Sequence, residues 1–91
     1  MNLAWTIEID DAAFKQLAKM GRQDAKRVRN YLRNRIEPLD NPRQLGKALE
    51  GSKRGHLWRY RVGDYRIICD IQDHKVVVLV LEIGHRREIY R

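Results

Sequence analysis

The chain has 91 residues, enough for one domain with a single core but not for two. Its 19 Lys and Arg against 12 Asp and Glu give a formal charge of +7 and a sequence pI near 10.0. That balance favours an anionic partner (nucleic acid, a ribonucleoprotein or an acidic protein) over a membrane, since the longest apolar run, Val76 to Leu81, falls far short of a ~20-residue span.

Trp5 to Ile9 alternates polar and apolar residues and predicts a first strand. Glu8, Asp10 and Asp11 give this end an acidic character unlike a signal peptide. Asp10 or Asp11 then caps a short helix running to about Met20, with Phe14, Leu17 and Ala18 as its buried stripe and Gly21 as its stop. A second helix is expected from about Gln23 to Ile36, burying Ala25, Val28, Leu32 and Ile36 or the stem of Arg35, and Pro38 ends it. The junction is short enough to dictate a helical hairpin. Arg22, Lys26, Arg27, Arg29, Arg33 and Arg35 read as a solvated or partner-facing surface, with Asp24 partly offsetting Arg27.

Asp40 to Gly55 reads as a loop, with Leu45 and Leu49 as its anchors into the core. Three strands follow, roughly Leu57–Val62, Tyr65–Ile71 and Lys75–Ile83, joined by turns at Gly63-Asp64 and Asp73-His74. Val76 to Leu81 is apolar throughout, which places the last strand centrally, buried on both faces; its register against Tyr65–Ile71 is defined only to within one residue. The order β-α-α-β-β-β predicts an α+β domain over residues 1–91, with the helical hairpin on one face of a small, mainly antiparallel sheet.

A two-residue turn at Gly63-Asp64 sets Val62 opposite Tyr65, Arg61 opposite Arg66, Tyr60 opposite Ile67 and Arg59 opposite Ile68. Side chains alternate along a strand, so Arg59, Arg61 and Arg66 share the uncovered face, and Trp58, Tyr60, Val62, Tyr65 and Ile67 share the other. Like charges facing each other cost roughly 0.2–1 kcal/mol. Two readings fit: a polyanion held against the face, or solvated charges that blunt an edge strand. The chain after Gly84 leaves the central strand, which brings His85, Arg86, Arg87 and Tyr90 toward the same face.

Cys69 alternates with Ile67 and Ile71 and reads as a small buried hydrophobe; a lone cysteine points to a cytoplasmic address. No metal or other cofactor is expected, because His56, His74 and His85 stand far apart and no second cysteine exists. RNA can be cut without metal if a protein deprotonates the 2′-hydroxyl, stabilises the pentacoordinate phosphate and protonates the leaving 5′-oxygen. Arginine forks suit the second task, and Tyr90 and His85 are the candidates for proton transfer. Such a site is short of strong bases, so free RNA should be a poor substrate.

The helical hairpin, the segment ALEGSKRGHLWRYRVGDYRIIC and the tail VVVLVLEIGHRREIY together resemble the RelE/ParE superfamily of bacterial type II toxin–antitoxin toxins, and its RelE branch in particular. The GDYR hairpin and the tail mark the superfamily more than the branch. The resemblance implies a ribosome-dependent endoribonuclease that enters the A site beside 16S rRNA and cuts mRNA by 2′-hydroxyl attack, leaving a 2′,3′-cyclic phosphate. It also implies a cognate antitoxin, through which operator DNA is bound indirectly. By position, Arg66 matches the family's phosphate-stabilising arginine, Arg86 the arginine assisting the leaving group, and Tyr90 a tyrosine that stacks on a base or orients the nucleophile. Arg59 stands where relatives carry a lysine proposed as general base, and a second such lysine falls near Leu57. Arginine is a poor base, so Tyr90, His85 and an electrostatic Arg59 all stay open. Lys53 and Arg54 are expected to touch RNA backbone, with Arg61, His85 and Arg87 completing the RNA and ribosome surface. The ParE branch, a gyrase inhibitor without catalysis, is the alternative; a pure binding protein would not need arginines ending in a tyrosine.

Overall fold

The computed structural model describes residues 4–49 and 57–85. A five-stranded sheet in the order β1-β5-β4-β3-β2 carries two helices on one face. The strands are β1 (Thr6–Ile9), β2 (Lys47–Ala48), β3 (Leu57–Val62), β4 (Tyr65–Gln72) and β5 (Val77–His85). β1 runs parallel to β5, and the other pairings are antiparallel. The α+β architecture with a helical hairpin is therefore as expected, with one added strand. β2 is two residues long, too short for any periodicity to reveal it. β5 is internal, between β1 and β4, and β4 holds the middle position.

Helix α1 (Asp11–Lys19) starts at Asp10, whose carboxylate accepts the Ala12 backbone N–H. Its buried residues are Ala13 and Leu17, while Ala18 is exposed and Phe14 is 64% exposed. The expected stripe of Phe14, Leu17 and Ala18 is thus rotated. Its register turns Gln16 inward, where Oε1 accepts the Ile83 N–H at 2.6 Å, a β5 donor lying past the end of β1. Gly21 does not end α1 in a left-handed turn; at φ −59° it opens α2 (Arg22–Tyr31) as the N-cap. α2 then widens into a π-helical turn, Leu32–Ile36, closed by the Glu37 N–H donating to the Leu32 carbonyl at 2.9 Å. Ala25, Val28, Leu32 and Ile36 all reach the core, as their spacing predicts.

That core lies between the helices and one sheet face, and joins them to Tyr60, Ile67, Cys69, Ile71, Val78, Val80 and Ile83. Cys69 is fully buried, and desolvation pushes its thiol pKa well up. The loop after α2 is tied down by aromatic donors. Trp5 Nε1 reaches the Asp40 carbonyl at 2.9 Å, Tyr60 Oη the Pro42 carbonyl at 2.6 Å and Trp58 Nε1 the Leu45 carbonyl at 2.7 Å. Gly46, at φ +78°, lets this loop close on β3: a Cβ there would strike the Arg59 carbonyl oxygen and stand 2.8 Å from the Tyr60 ring. The next residue, Lys47, then pairs with Arg59.

The β4–β5 connection is longer than a two-residue turn. Asp73–Lys75 forms a 3₁₀ turn and Val76 adopts the left-handed region at φ 55°, so β5 starts at Val77. Among the described residues, no helix is long and apolar enough to cross a membrane.

Candidate nucleic-acid interface

The hairpin register is the expected one: Arg59 pairs with Ile68, Tyr60 with Ile67, Arg61 with Arg66 and Val62 with Tyr65. Gly63 has φ +59° and Asp64 is not positive, the pattern of a type II′ turn. The turn also receives α2, since a Cβ on Gly63 would lie 2.8 Å from Arg27 Nη2. Asp24 serves this junction too, accepting the Tyr65 hydroxyl at 2.9 Å.

Following register across the sheet, Lys47, Arg59, Ile68 and Glu82 form one row on the face away from the helices. Arg61, Arg66 and Gly84 form the next. The cations gather over β2, β3 and the adjoining end of β4. The carboxylates Glu82 and Glu8 lie on β5 and β1, Glu8 by its pairing with Leu79, and Asp70 stands farther along β4, between Leu57 and Leu79. A polyanion on this face is therefore drawn to the Lys47–Arg59–Arg61–Arg66 side. Arg61 is exposed and Arg59 half-buried, but Arg66 is only 3% exposed. Arg66 keeps the expected face, beside buried Ile68, but it is buried there and not open. A buried arginine is held in one geometry, which suits bidentate recognition of phosphate.

His85 does not join the arginines. It pairs with Tyr65 and shares the helix-covered side, with the two rings edge to face at 5.6 Å and His85 Nε2 4.0 Å from Asp64. The cause is a bulge: Ile68 pairs with Glu82 but Cys69 with Val80, leaving Leu81 as an extra residue. One extra residue reverses the faces of everything after it. Ile83 and His85 turn toward the helices, and Glu82 turns to the arginine face. His85 instead lines a cleft of about 450 Å³ with Gln16, Lys19, Met20, Tyr65 and Gly84. Lys53, Arg54, Arg86, Arg87 and Tyr90 lie outside the described residues.

The sequence reading missed Lys47 and Tyr31. They line a cavity of about 280 Å³ with Gly46, Arg59 and Arg61 at the outer edge of β3. Tyr31 packs on Tyr60 with ring centroids 6.3 Å apart. Partial burial raises its phenol pKa, only partly opposed by Arg35. Three cations and a phenol around one cavity can hold a phosphodiester. Lys47 had no readable signal beyond following a glycine, and Tyr31 resembled an ordinary core residue.

Comparison with known proteins gives the chain its relatives. The family described as ParE toxin of type II toxin-antitoxin system, parDE, matches residues 7–90. The mRNA interferase toxin RelE of Escherichia coli K12 is 31% identical over 90 residues, covering 97% of this chain and 92% of that protein. In fold, the toxin–antitoxin complex RelBE2 from Mycobacterium tuberculosis matches with a TM-score of 0.80 at 23% identity, covering 92% of this chain and 93% of that one. The RelE–RelB complex from Pyrococcus horikoshii matches at 0.71 and 26% identity, covering 92% and 97%.

Proposed function

Because this chain belongs to the RelE/ParE superfamily of type II toxin–antitoxin toxins, we propose that it is a ribosome-dependent endoribonuclease that cuts mRNA in the A site. The observation that carries this reading is the set of cations on one sheet face, Lys47, Arg59, Arg61 and Arg66, with Arg61 and Arg66 directly opposed. A fold that retains like charges in register gains something from them other than stability.

In this mechanism Arg66, fixed by burial, neutralises the charge that builds on the phosphorane oxygens as the 2′-oxygen attacks. Arg59 and Arg61 hold the neighbouring phosphates, and Lys47 with Tyr31 extends that grip along the strand. Arg86 and Tyr90 act at the leaving group and the substrate base, by their match to the family motif. Lys53, Arg54 and Arg87 add contacts to RNA backbone. His85 borders the helix-side cleft and takes no part in proton transfer at the arginine face. Binding to the ribosome supplies the substrate in a cleavable conformation, which a site with few bases needs.

A cognate antitoxin is the second partner, as in the complexes of the relatives from M. tuberculosis and P. horikoshii. An acidic or amphipathic segment that covers a +7 chain would associate fast and with marked salt dependence. The nuclease reading is tested by translation in vitro with primer extension on the mRNA, where discrete cuts should appear only when ribosomes are present. The family match carries the ParE description, and it keeps one other reading in play, a gyrase-binding toxin without catalysis. Intact mRNA together with gyrase-dependent DNA breaks would select it.

A further inference from the structure

Among the described residues the arginine face offers no ready proton acceptor from β3 or the end of β5, since Arg59 is a guanidinium and His85 faces the other way. One carboxylate enters this face because of the bulge. With regular pairing from Cys69 and Val80 onward, residue 82 would point at the helices, beneath α1. The extra Leu81 sends Glu82 outward and lets Ile83, 1% exposed, fill the core in its place. Bulges next to active sites characteristically re-aim one side chain in this way.

Glu82 is exposed, and no described side chain holds its carboxylate in a hydrogen bond or ion pair. It stands in one row with Arg59, on either side of Ile68, which is 4% exposed and forms an apolar floor. Neighbouring strands are ~4.8 Å apart, so the two backbones are separated by about 10 Å, room for one phosphate and its ribose. Arg66 lies diagonally next to Glu82, and its direct partner on β5 is Gly84, which places no side chain between them.

We propose that Glu82 is the general base of the cleavage reaction, a role that rests on the nuclease reading above. Its carboxylate takes the proton of the 2′-hydroxyl, and the freed electron pair forms the O2′–P bond. The P–O5′ bond breaks on the far side of the phosphorus, its electron pair departs with the 5′-oxygen, and that oxygen takes a proton from water. Glu82 then returns its own proton to solvent, leaving a 2′,3′-cyclic phosphate and a 5′-hydroxyl. Arg59 and Arg66 hold the phosphate over Ile68, beside Glu82. Asp70 and Glu8, on the same face, lie farther along β4 and on β1.

Single-turnover cleavage on programmed ribosomes, comparing the full chain with Glu82→Gln, decides the matter. Glu82 is exposed, and Gln keeps its shape, so the variant folds. Loss of a positioned base typically costs ~10²–10⁴ in rate, so Glu82→Gln should cut that much more slowly with ribosome binding intact, its residual rate rising in proportion to hydroxide. A Glu82→Gln variant that binds ribosomes more tightly and cuts at the wild-type rate would overturn the assignment, reducing Glu82 to a charge that offsets the arginines. Absence of cleavage by the wild type would overturn the nuclease reading itself, and this role with it.

Discussion

The two faces of the sheet use burial for opposite ends. Under the helices, Tyr60, Ile67, Cys69, Ile71, Val78, Val80 and Ile83 meet Ala13, Leu17, Val28, Leu32 and Ile36 in one apolar cluster. On the other face Ile68 is buried just as deeply, but its neighbours include Arg59, Arg66 and Glu82. Arg66 carries a full charge at 3% exposure, and its cross-strand partner is another arginine. Burying a charge is unfavourable unless it is compensated, and opposed like charges add to that cost. The helix face therefore supplies most of the apolar burial, and the other face concentrates charge.

That division can be broken most forcefully from the helix side. Ile67 is fully buried at the centre of the cluster, so Ile67→Ala should lose ~2–5 kcal/mol in urea unfolding, a large share of a small domain's stability. A smaller loss would show that the two faces share the load. Across the sheet the expected effects are functional. Arg59→Ala removes a charged hydrogen-bond donor to phosphate and should weaken substrate binding by roughly 1.5–3 kcal/mol, read as a rise in the concentration giving half-maximal cleavage. Its unfolding midpoint should barely move.

Arg61→Gln sharpens the contrast, because it relieves the Arg61–Arg66 opposition. It should raise stability by roughly 0.2–1 kcal/mol while weakening RNA binding, a gain in one property at the expense of the other. Lower stability in this variant would mean that the arginine pair is not a burden on the fold.

The smallest effect belongs to neither face. Arg43 donates to both Asp73 carboxylate oxygens at 2.9 Å, and this hydrogen bonding holds the Asp73 pKa below its ordinary 3.8. A carboxylate depressed in the folded state stabilises at neutral pH, and that contribution is lost as pH falls below 3.8 toward the folded-state value. Asp73 is largely in solvent and Arg43 partly so, which leaves the pair worth no more than about 1 kcal/mol. Arg43→Gln should abolish this part of the acid dependence of the unfolding midpoint.

What could be read in advance followed from phase. Gly63-Asp64 anchors the hairpin, and alternation on both sides then determines every pair from Arg59–Ile68 to Val62–Tyr65. Spacing alone likewise put Ala25, Val28, Leu32 and Ile36 on one side of α2, even though the helix ends in a π-helical turn. Val76 to Leu81 has no alternation to set a phase, so the bulge at Leu81 was invisible, His85 was placed on the wrong face and Glu82 was given none. The Glu82-Ile83 pair, a charge where the apolar run breaks, was the signal available. In α1, Phe14 outranks Ala13 in hydrophobicity, yet close packing of the helix on β5 favours the smaller side chain inside. Burial of Arg66 could not be read at all, because a strand pattern gives the face of a side chain and not its depth.

On the proposed function, the arginine face performs phosphodiester chemistry on ribosome-bound mRNA. Single-turnover cleavage by Arg66→Ala on programmed ribosomes tests it most directly, with ribosome binding and thermal unfolding measured on the same preparation. Loss of one preorganised donor to a transition-state phosphate should slow the cut by ~10²–10³ while the protein stays folded and bound. A folded, ribosome-bound Arg66→Ala protein that cleaves at the wild-type rate would show that the chemistry resides elsewhere.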